Sequence, residues 1–147
     1  MNKCFMFVSS LLVILFMYGC NKNNTNSTQQ VIYTDTTKVH NILSGVDDIE
    51  SASWKEIPMG NSDVVGPTDY REIGYVKISK TKSNELLETY SFSEVSFEAS
   101  EDDIDTSNLS NSKWMVNKNF TNDSLSKTYQ GNIYFNGSYI WFDVITK

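Results

Sequence analysis

The chain is short of the residues that build covalent or metal-held frameworks. It has two cysteines in 147 residues, Cys4 and Cys20, both within the first twenty. A fold made from the remainder contains no disulfide, and its stability has to come from a packed core. It has one histidine, His40. A lone imidazole with no cysteine near it in the sequence cannot assemble the usual zinc set or a Cys-His pair, and its place close to an amino-terminal polar tract suits a surface role. Gly-x-Ser-x-Gly elbows, Walker-type glycine loops and dinucleotide-binding glycine fingerprints are missing, and no motif implies a cofactor. Basic residues are outnumbered, 12 against 18 acidic, and Arg71 is the single arginine. The formal charge of −6 disfavours nucleic acid as a partner and provides no polybasic contact with anionic lipid. No internal repeat recurs at a fixed period.

What the chain does have is one apolar run, at its start. Lys3 is the only charge before residue 22, and residues 4 to 18 are apolar apart from Ser9 and Ser10. A run of about 15 residues fits the core of a secretion signal and falls short of the ~20 that a permanent transmembrane helix needs. The composition then changes abruptly to Asn21-Lys-Asn-Asn-Thr-Asn-Ser-Thr28. So polar a tract has too little apolar surface to offset its ordering entropy, and reads as a tether.

At the junction stands Met17-Tyr18-Gly19-Cys20. This resembles the lipobox of bacterial lipoproteins, an aliphatic residue, two mostly small ones and the modified cysteine. Gly19 and Cys20 fit that pattern, Met17 replaces the usual Leu, and Tyr18 is larger than the pattern prefers. The resemblance implies cleavage between Gly19 and Cys20, a diacylglyceryl thioether on Cys20, and a protein held on a membrane facing outside the cytoplasm. The alternative is an ordinary signal peptide with an incidental cysteine. One acyl chain gives marginal membrane binding and two or three give a stable anchor. Three regions follow: 1–19 as signal, 20–30 as lipidated cysteine and tether, and 31–147 as one domain. The tether spans roughly 15–20 Å as a polar coil. After cleavage 128 residues carry 11 basic and 18 acidic side chains, a balance of 11 − 18 = −7.

The domain reads as α+β: a small antiparallel sheet with one helix packed on a face and a carboxyl-terminal Asn-Gly hairpin. Residues 128–135 and 138–145 are β-prone and flank Asn136-Gly137, the preferred pair for a two-residue type I′ turn. That turn sets Phe135 opposite Ser138, Tyr134 opposite Tyr139 and Ile133 opposite Ile140. One face then carries Tyr129, Ile133, Phe135, Ile140, Phe142 and Val144 toward the core. The other presents Tyr134, Tyr139 and Trp141 among polar groups. Such an aromatic strip is a candidate sugar-stacking or partner-binding surface; the plainer expectation is cross-strand packing beneath a loop or helix. Strands are also expected over 49–58 and 70–79, each with apolar residues on both faces, and shorter ones over 92–97 and 113–117. Residues 80–90 read as a helix capped by Ser79 or Thr81, with Leu86, Leu87 and Tyr90 as its apolar stripe. Residues 31–44 fit either strand or helix.

Two further strings invite chemistry. Gly66-Pro67-Thr68-Asp69-Tyr70 resembles a GPTDY segment in small uncharacterised secreted bacterial proteins, a resemblance that implies no activity. Pro67 fixes φ and Asp69 bonds nearby backbone, which is turn chemistry; a polar pocket lined by Asp69, Arg71 and Glu72 is the functional alternative. Glu101-Asp102-Asp103-Ile104-Asp105 lacks the glycine and the terminal glutamate of a calcium loop, and reads as a solvated acidic loop. Carboxylate pairs for glycan cleavage depend on three-dimensional spacing and stay open. The leading expectation is a non-catalytic binding or interaction module at the cell envelope, with an envelope protein or glycan as partner. The rivals are a glycan-acting enzyme using Asp/Glu carboxylates, and an envelope protection protein of the immunity or superinfection type.

Overall fold

A computed structural model describes residues 30–60 and 69–147. Gly19 and Cys20 lie outside the described residues, as do Gly66, Pro67 and Thr68. The described chain is α+β: a seven-stranded antiparallel sheet in the order β1-β2-β3-β7-β6-β5-β4. In sequence the elements run β1 (Ile32–Tyr33), α1 (Thr36–Val39), β2 (Ile49–Met59), β3 (Asp69–Ile78), α2 (Lys80–Thr89), β4 (Ser93–Val95), β5 (Trp114–Val116), α3 (Lys118–Ser124), β6 (Tyr129–Phe135) and β7 (Tyr139–Thr146). A single 3₁₀ turn, Ser107–Leu109, interrupts the segment before β5. The stretch 31–44 holds both a strand and a helix.

The missing polar face of β2 and β3 has a structural reason: the sheet is covered on both sides. Successive strand residues point to opposite faces. Ala52, Trp54, Val76 and Ile78 therefore join the larger core with Ile133, Phe135, Ile140, Phe142 and Val144. Ile57, Ile73 and Tyr75 turn the other way, into a smaller core around Trp114 and Trp141. Gly74 of β3 pairs with Trp54 of β2. A Cβ there would come within 2.5 Å of the Trp54 Cα and Cβ, so only glycine lets the Trp54 indole lie across the strand.

Helices cover the larger core alone. The single expected helix is α2: its Ser79 cap accepts from the Lys82 N–H at 3.1 Å, Leu86 is buried, and Leu87 is 46% exposed. Two shorter helices accompany it. α1 and the turn after it supply Val39, Ile42, Leu43 and Val46, and α3 supplies Phe120. The Asn117 side chain caps α3 by accepting from the Phe120 N–H at 2.9 Å, and Phe120 meets Tyr90, Phe92 and Phe135 edge-on or tilted. The smaller core has no helix; residues 96–113 cross it as a strap, burying Ala99 and Leu109.

The carboxyl-terminal hairpin forms, but its register is two residues from the Asn-Gly expectation. Phe135 faces Ile140, Tyr134 faces Trp141 and Ile133 faces Phe142. The turn centres are Gly137 and Ser138. Gly137 has φ +88°, while Asn136 and Ser138 have negative φ, which excludes type I′ and matches the first-glycine position of type II′. Asn136 stays outside the turn centre, where its Oδ1 accepts from the Ser138 and Tyr139 N–H groups at 3.0 and 2.7 Å. Because a shift of two preserves strand alternation, each side chain still points to its expected face. Gly137→Ala should destabilise the protein by about 1–2 kcal/mol through the positive φ alone, since open space surrounds the added methyl. An unchanged urea midpoint would contradict the turn assignment.

Candidate functional site

The aromatic strip is a covered surface. Trp141 is 2% exposed, and Tyr134 and Tyr139 are half-buried. Phe97 of the strap lies flat on Tyr134, with ring centroids 3.8 Å apart and planes 4° from parallel, and it meets Trp114 edge-on. Tyr139 packs edge-on against Tyr75 of β3. Tyr134, Tyr139 and Trp141 thus serve as the floor of the smaller core, the plainer of the two expectations, and no ligand reaches Trp141 without moving the strap.

The acidic loop is largely solvated, as expected, with Asp102, Asp103 and Asp105 exposed, and Glu101 alone turns inward. Lys55 points from β2 into this face, and its side chain is 2% exposed. Its ammonium contacts Glu101 Oε1 at 3.0 Å and Asp103 Oδ2 at 4.0 Å, and donates to the Asp102 carbonyl at 2.6 Å. Arg71 donates twice to Asp143, at 2.7 and 2.8 Å, with Glu101 at 3.8 Å. These carboxylates gather around a lysine rather than a metal ion, and no group of three or more His, Cys, Asp or Glu side chains among the described residues could hold one. Asp105 turns away: its Oδ1 accepts from the Ser107 N–H and its carbonyl from the Tyr75 hydroxyl. A cleft of about 480 Å³ opens in the strap between Ser96, Glu98, Thr106, Ser110, Asn111 and Trp114.

The polar pocket of Asp69, Arg71 and Glu72, the alternative to a plain turn, does not form. Asp69 is exposed at the start of β3, and strand alternation sends Arg71 and Glu72 to opposite faces. Glu72 is the residue whose importance the sequence concealed. It is 5% exposed on the helix-covered face, beside Val144 of β7 and opposite Glu56 of β2. The Tyr129 hydroxyl donates to its Oε1 at 3.2 Å. Its Oε2 is buried without a partner, as is Nε1 of Trp54, two residues along β2 from Glu56. Burial pushes the Glu72 carboxyl up to about 7; the Glu56 charge adds to the rise and the Tyr129 hydrogen bond opposes it. The Tyr129 hydroxyl is in turn pushed up to about 12, by burial first and then by the Glu72 charge. Glu72 can therefore exchange a proton near neutrality from a site shielded from water. Tyr33 of β1 closes the far side, stacked on Trp54 at 4.7 Å and itself under the Lys38 ammonium.

Tyr129 also forms a wall of a second cleft, of about 350 Å³, at the end of the sheet where β6 begins and β7 finishes. Thr121, Ser126, Gln130, Lys127 and Lys147 line it as well. Both lysines are exposed and form no ion pair among the described residues. His40 is exposed at the end of α1.

The fold and these sites define an α+β domain with a two-sided core and, among the described residues, clefts of about 480 and 350 Å³. Comparison with known proteins adds no family to that description: no family model, no curated protein and no solved structure matches the chain.

Proposed function

We propose that the protein is an exported lipoprotein, anchored by acyl chains on Cys20, whose domain acts as a non-catalytic binding module at the cell envelope. The observation that carries the reading is the order of parts along the chain. An apolar run ends at Gly19-Cys20, a polar tract follows, and the first described element is the short edge strand β1, with Val31 before it 60% exposed. Among the described residues no helix is long and apolar enough to cross a membrane, so the proposed attachment rests on Cys20. The clefts of about 480 and 350 Å³ among the described residues are large enough for a ligand, and an envelope protein or glycan is the proposed partner.

The test is metabolic labelling with a clickable fatty acid in producing cells. The wild-type chain should take the label and fractionate with membranes, and Cys20→Ser should do neither. Label retained by Cys20→Ser would overturn the assignment.

One observation favours the rival glycan-acting enzyme. Glu56 and Glu72 face each other across β2 and β3, and burial pushes the Glu72 carboxyl up to about 7, an asymmetry suited to acid and base roles, but a glycan would reach Glu72, 5% exposed, only if the helix-covered face opened. In that reading Glu72→Gln would abolish hydrolysis of envelope glycan by the purified protein; in the binding reading wild type and variant release no sugar.

A further inference from the structure

We infer that the cleft in the strap binds a neutral glycan, with Phe97 as the ring a sugar stacks on and the polar side chains around it as hydrogen-bonding partners. The inference rests on the binding-module reading and deepens it by naming a site and a ligand class. At about 480 Å³ the cleft falls within the roughly 300–1,000 Å³ of small-molecule sites. It is built from the strap and the start of β5, toward the far edge of the sheet from β1 and β2.

The aromatic part follows from how the sheet is covered. Tyr134 is hidden beneath Phe97, whose ring lies parallel to it with centroids 3.8 Å apart. Phe97 also meets Trp114 at near right angles, with centroids 5.5 Å apart. One face of Phe97 is therefore taken, yet the residue is only half-buried, and it borders the cleft beside Trp114. A ring fixed by two aromatic neighbours offers its remaining surface in one orientation, so a sugar can lay its C–H face there at little ordering cost.

The polar part is uncommitted. Ser96 and Glu98 approach from one limb of the strap, and Thr106, Ser110, Asn111 and Ser112 from the other. Among the described residues none of these six side chains makes a hydrogen bond or an ion pair. Elsewhere such groups are spent on the fold: Ser79 and Asn117 cap helices, and Asn136 holds the hairpin turn. Around the cleft they remain available to a ligand that both donates and accepts. Their backbone is held in tight turns. The Leu109 N–H donates to the Thr106 carbonyl at 2.8 Å, the Ser112 N–H to the Leu109 carbonyl at 3.3 Å, and Asn111 takes φ +60° between them.

Charge narrows the ligand. Glu98 is the only charged side chain in the lining, and Lys113, next to Trp114 in sequence, is paired with Glu94 at 3.4 Å. An anionic ligand would meet Glu98 with no cation in the lining to offset it. An apolar one would strip water from the polar groups without replacing its bonds. A protein partner calls for large apolar anchors, and the exposed ones among the described residues, Val31, Met59, Tyr70 and Leu87, all lie off the strap. A neutral, hydroxyl-rich ligand meets none of these objections.

The test uses the full acylated chain in a zwitterionic, sugar-free detergent. The neutral probes are the N-acetylglucosamine trimer and maltotriose, and the anionic probe is the galacturonate trimer. Tryptophan indole N–H resonances follow each titration. At least one neutral trisaccharide should bind at millimolar concentration or below and move the Trp114 signal, while Trp54, on the helix-covered face, stays in place. Glu98→Ala and Asn111→Gly, the latter compatible with the positive φ, should each weaken binding about fivefold or more, the loss of one hydrogen bond. Gln130→Ala, in the other cleft, should leave binding unchanged. Binding of neither neutral sugar, or tighter binding of the galacturonate, would overturn the inferred ligand. Neutral-sugar binding that survives both cleft variants and leaves Trp114 unmoved would overturn the site while the binding-module reading stands.

Discussion

Lys55→Ala is expected to lower the unfolding free energy by about 3 kcal/mol and to loosen the strap over Trp141. The lysine side chain is 2% exposed, and Glu101, its closest carboxylate partner, is 18% exposed. Truncation leaves Glu101 with only Arg71 nearby, strands the Asp102 carbonyl, and opens a void against the sheet. Breaking a buried pair by removing one partner typically costs 3–5 kcal/mol, and the partial exposure of Glu101 places the expected loss at the lower end. The conservative comparison is Lys55→Met, which retains most of the volume and should lose less. A Lys55→Met, Glu101→Leu double variant should recover part of the remainder, since well-packed apolar residues can replace a buried ion pair at little cost. Urea unfolding measures the stability. Tryptophan emission reports the strap, because Trp114 and Trp141 lie beneath it while Trp54 is on the opposite face. A red shift should accompany the loss in Lys55→Ala. If stability stays within about 0.5 kcal/mol of wild type, the range of ordinary surface changes, the lysine does not hold the strap.

The strap marks where the sequence stopped being readable. Elements with a local signal are legible: α2 by its cap and apolar stripe, the last two strands by β-prone runs about a turn glycine, and β2 and β3 as β-prone runs that are apolar on both faces. The hairpin shows how little separates a correct face from a wrong register. Asn136-Gly137 and Gly137-Ser138 are both acceptable turn pairs, and the choice between them was made by the Asn136 side chain, which caps two backbone N–H groups from outside the turn. The helix α3 had a usable signal, Asn117 three residues before Phe120, but seven residues are too few for a persuasive apolar period. Residues 96–113 have no period at all. Their acidic run is exposed apart from Glu101, and Lys55, forty-six residues before it, gives no local sign of being the counter-ion of that one carboxylate. An apolar strip opposite a second apolar strip was the one clue: with no polar face on β2 and β3, something had to cover both sides of the sheet.

The buried Glu72 was illegible for a related reason. In β3 it reads as one more polar residue beside Arg71, and only the pairing of β3 with both β2 and β7 shows that its face is closed by Val144, Tyr129 and the helices. Its consequences can be measured. Stability is expected to fall by about 2–3 kcal/mol as pH rises from 4.5 to about 7, and to level off above that. The sign follows from proton binding. In the folded state the carboxyl keeps its proton to about 7, whereas in the unfolded chain it loses it near 4.5. Between those values the folded state holds the extra proton, so raising pH favours unfolding; below 4.5 both states are protonated and the contribution is complete. Asp47 and Asp105, whose carboxyls are held below the usual range by hydrogen bonds from Lys82 and Ser107, act in the opposite sense but at pH below 3.8, outside this window. Glu72→Gln removes the titration while keeping an acceptor for the Tyr129 hydroxyl. Its unfolding free energy should be nearly flat from pH 4.5 to 7 and exceed that of wild type at pH 8. Urea titrations across this range decide the matter: a wild-type curve that rises with pH, or a Glu72→Gln variant with the wild-type slope, would show that the carboxyl is not the buried proton reservoir that its surroundings make it.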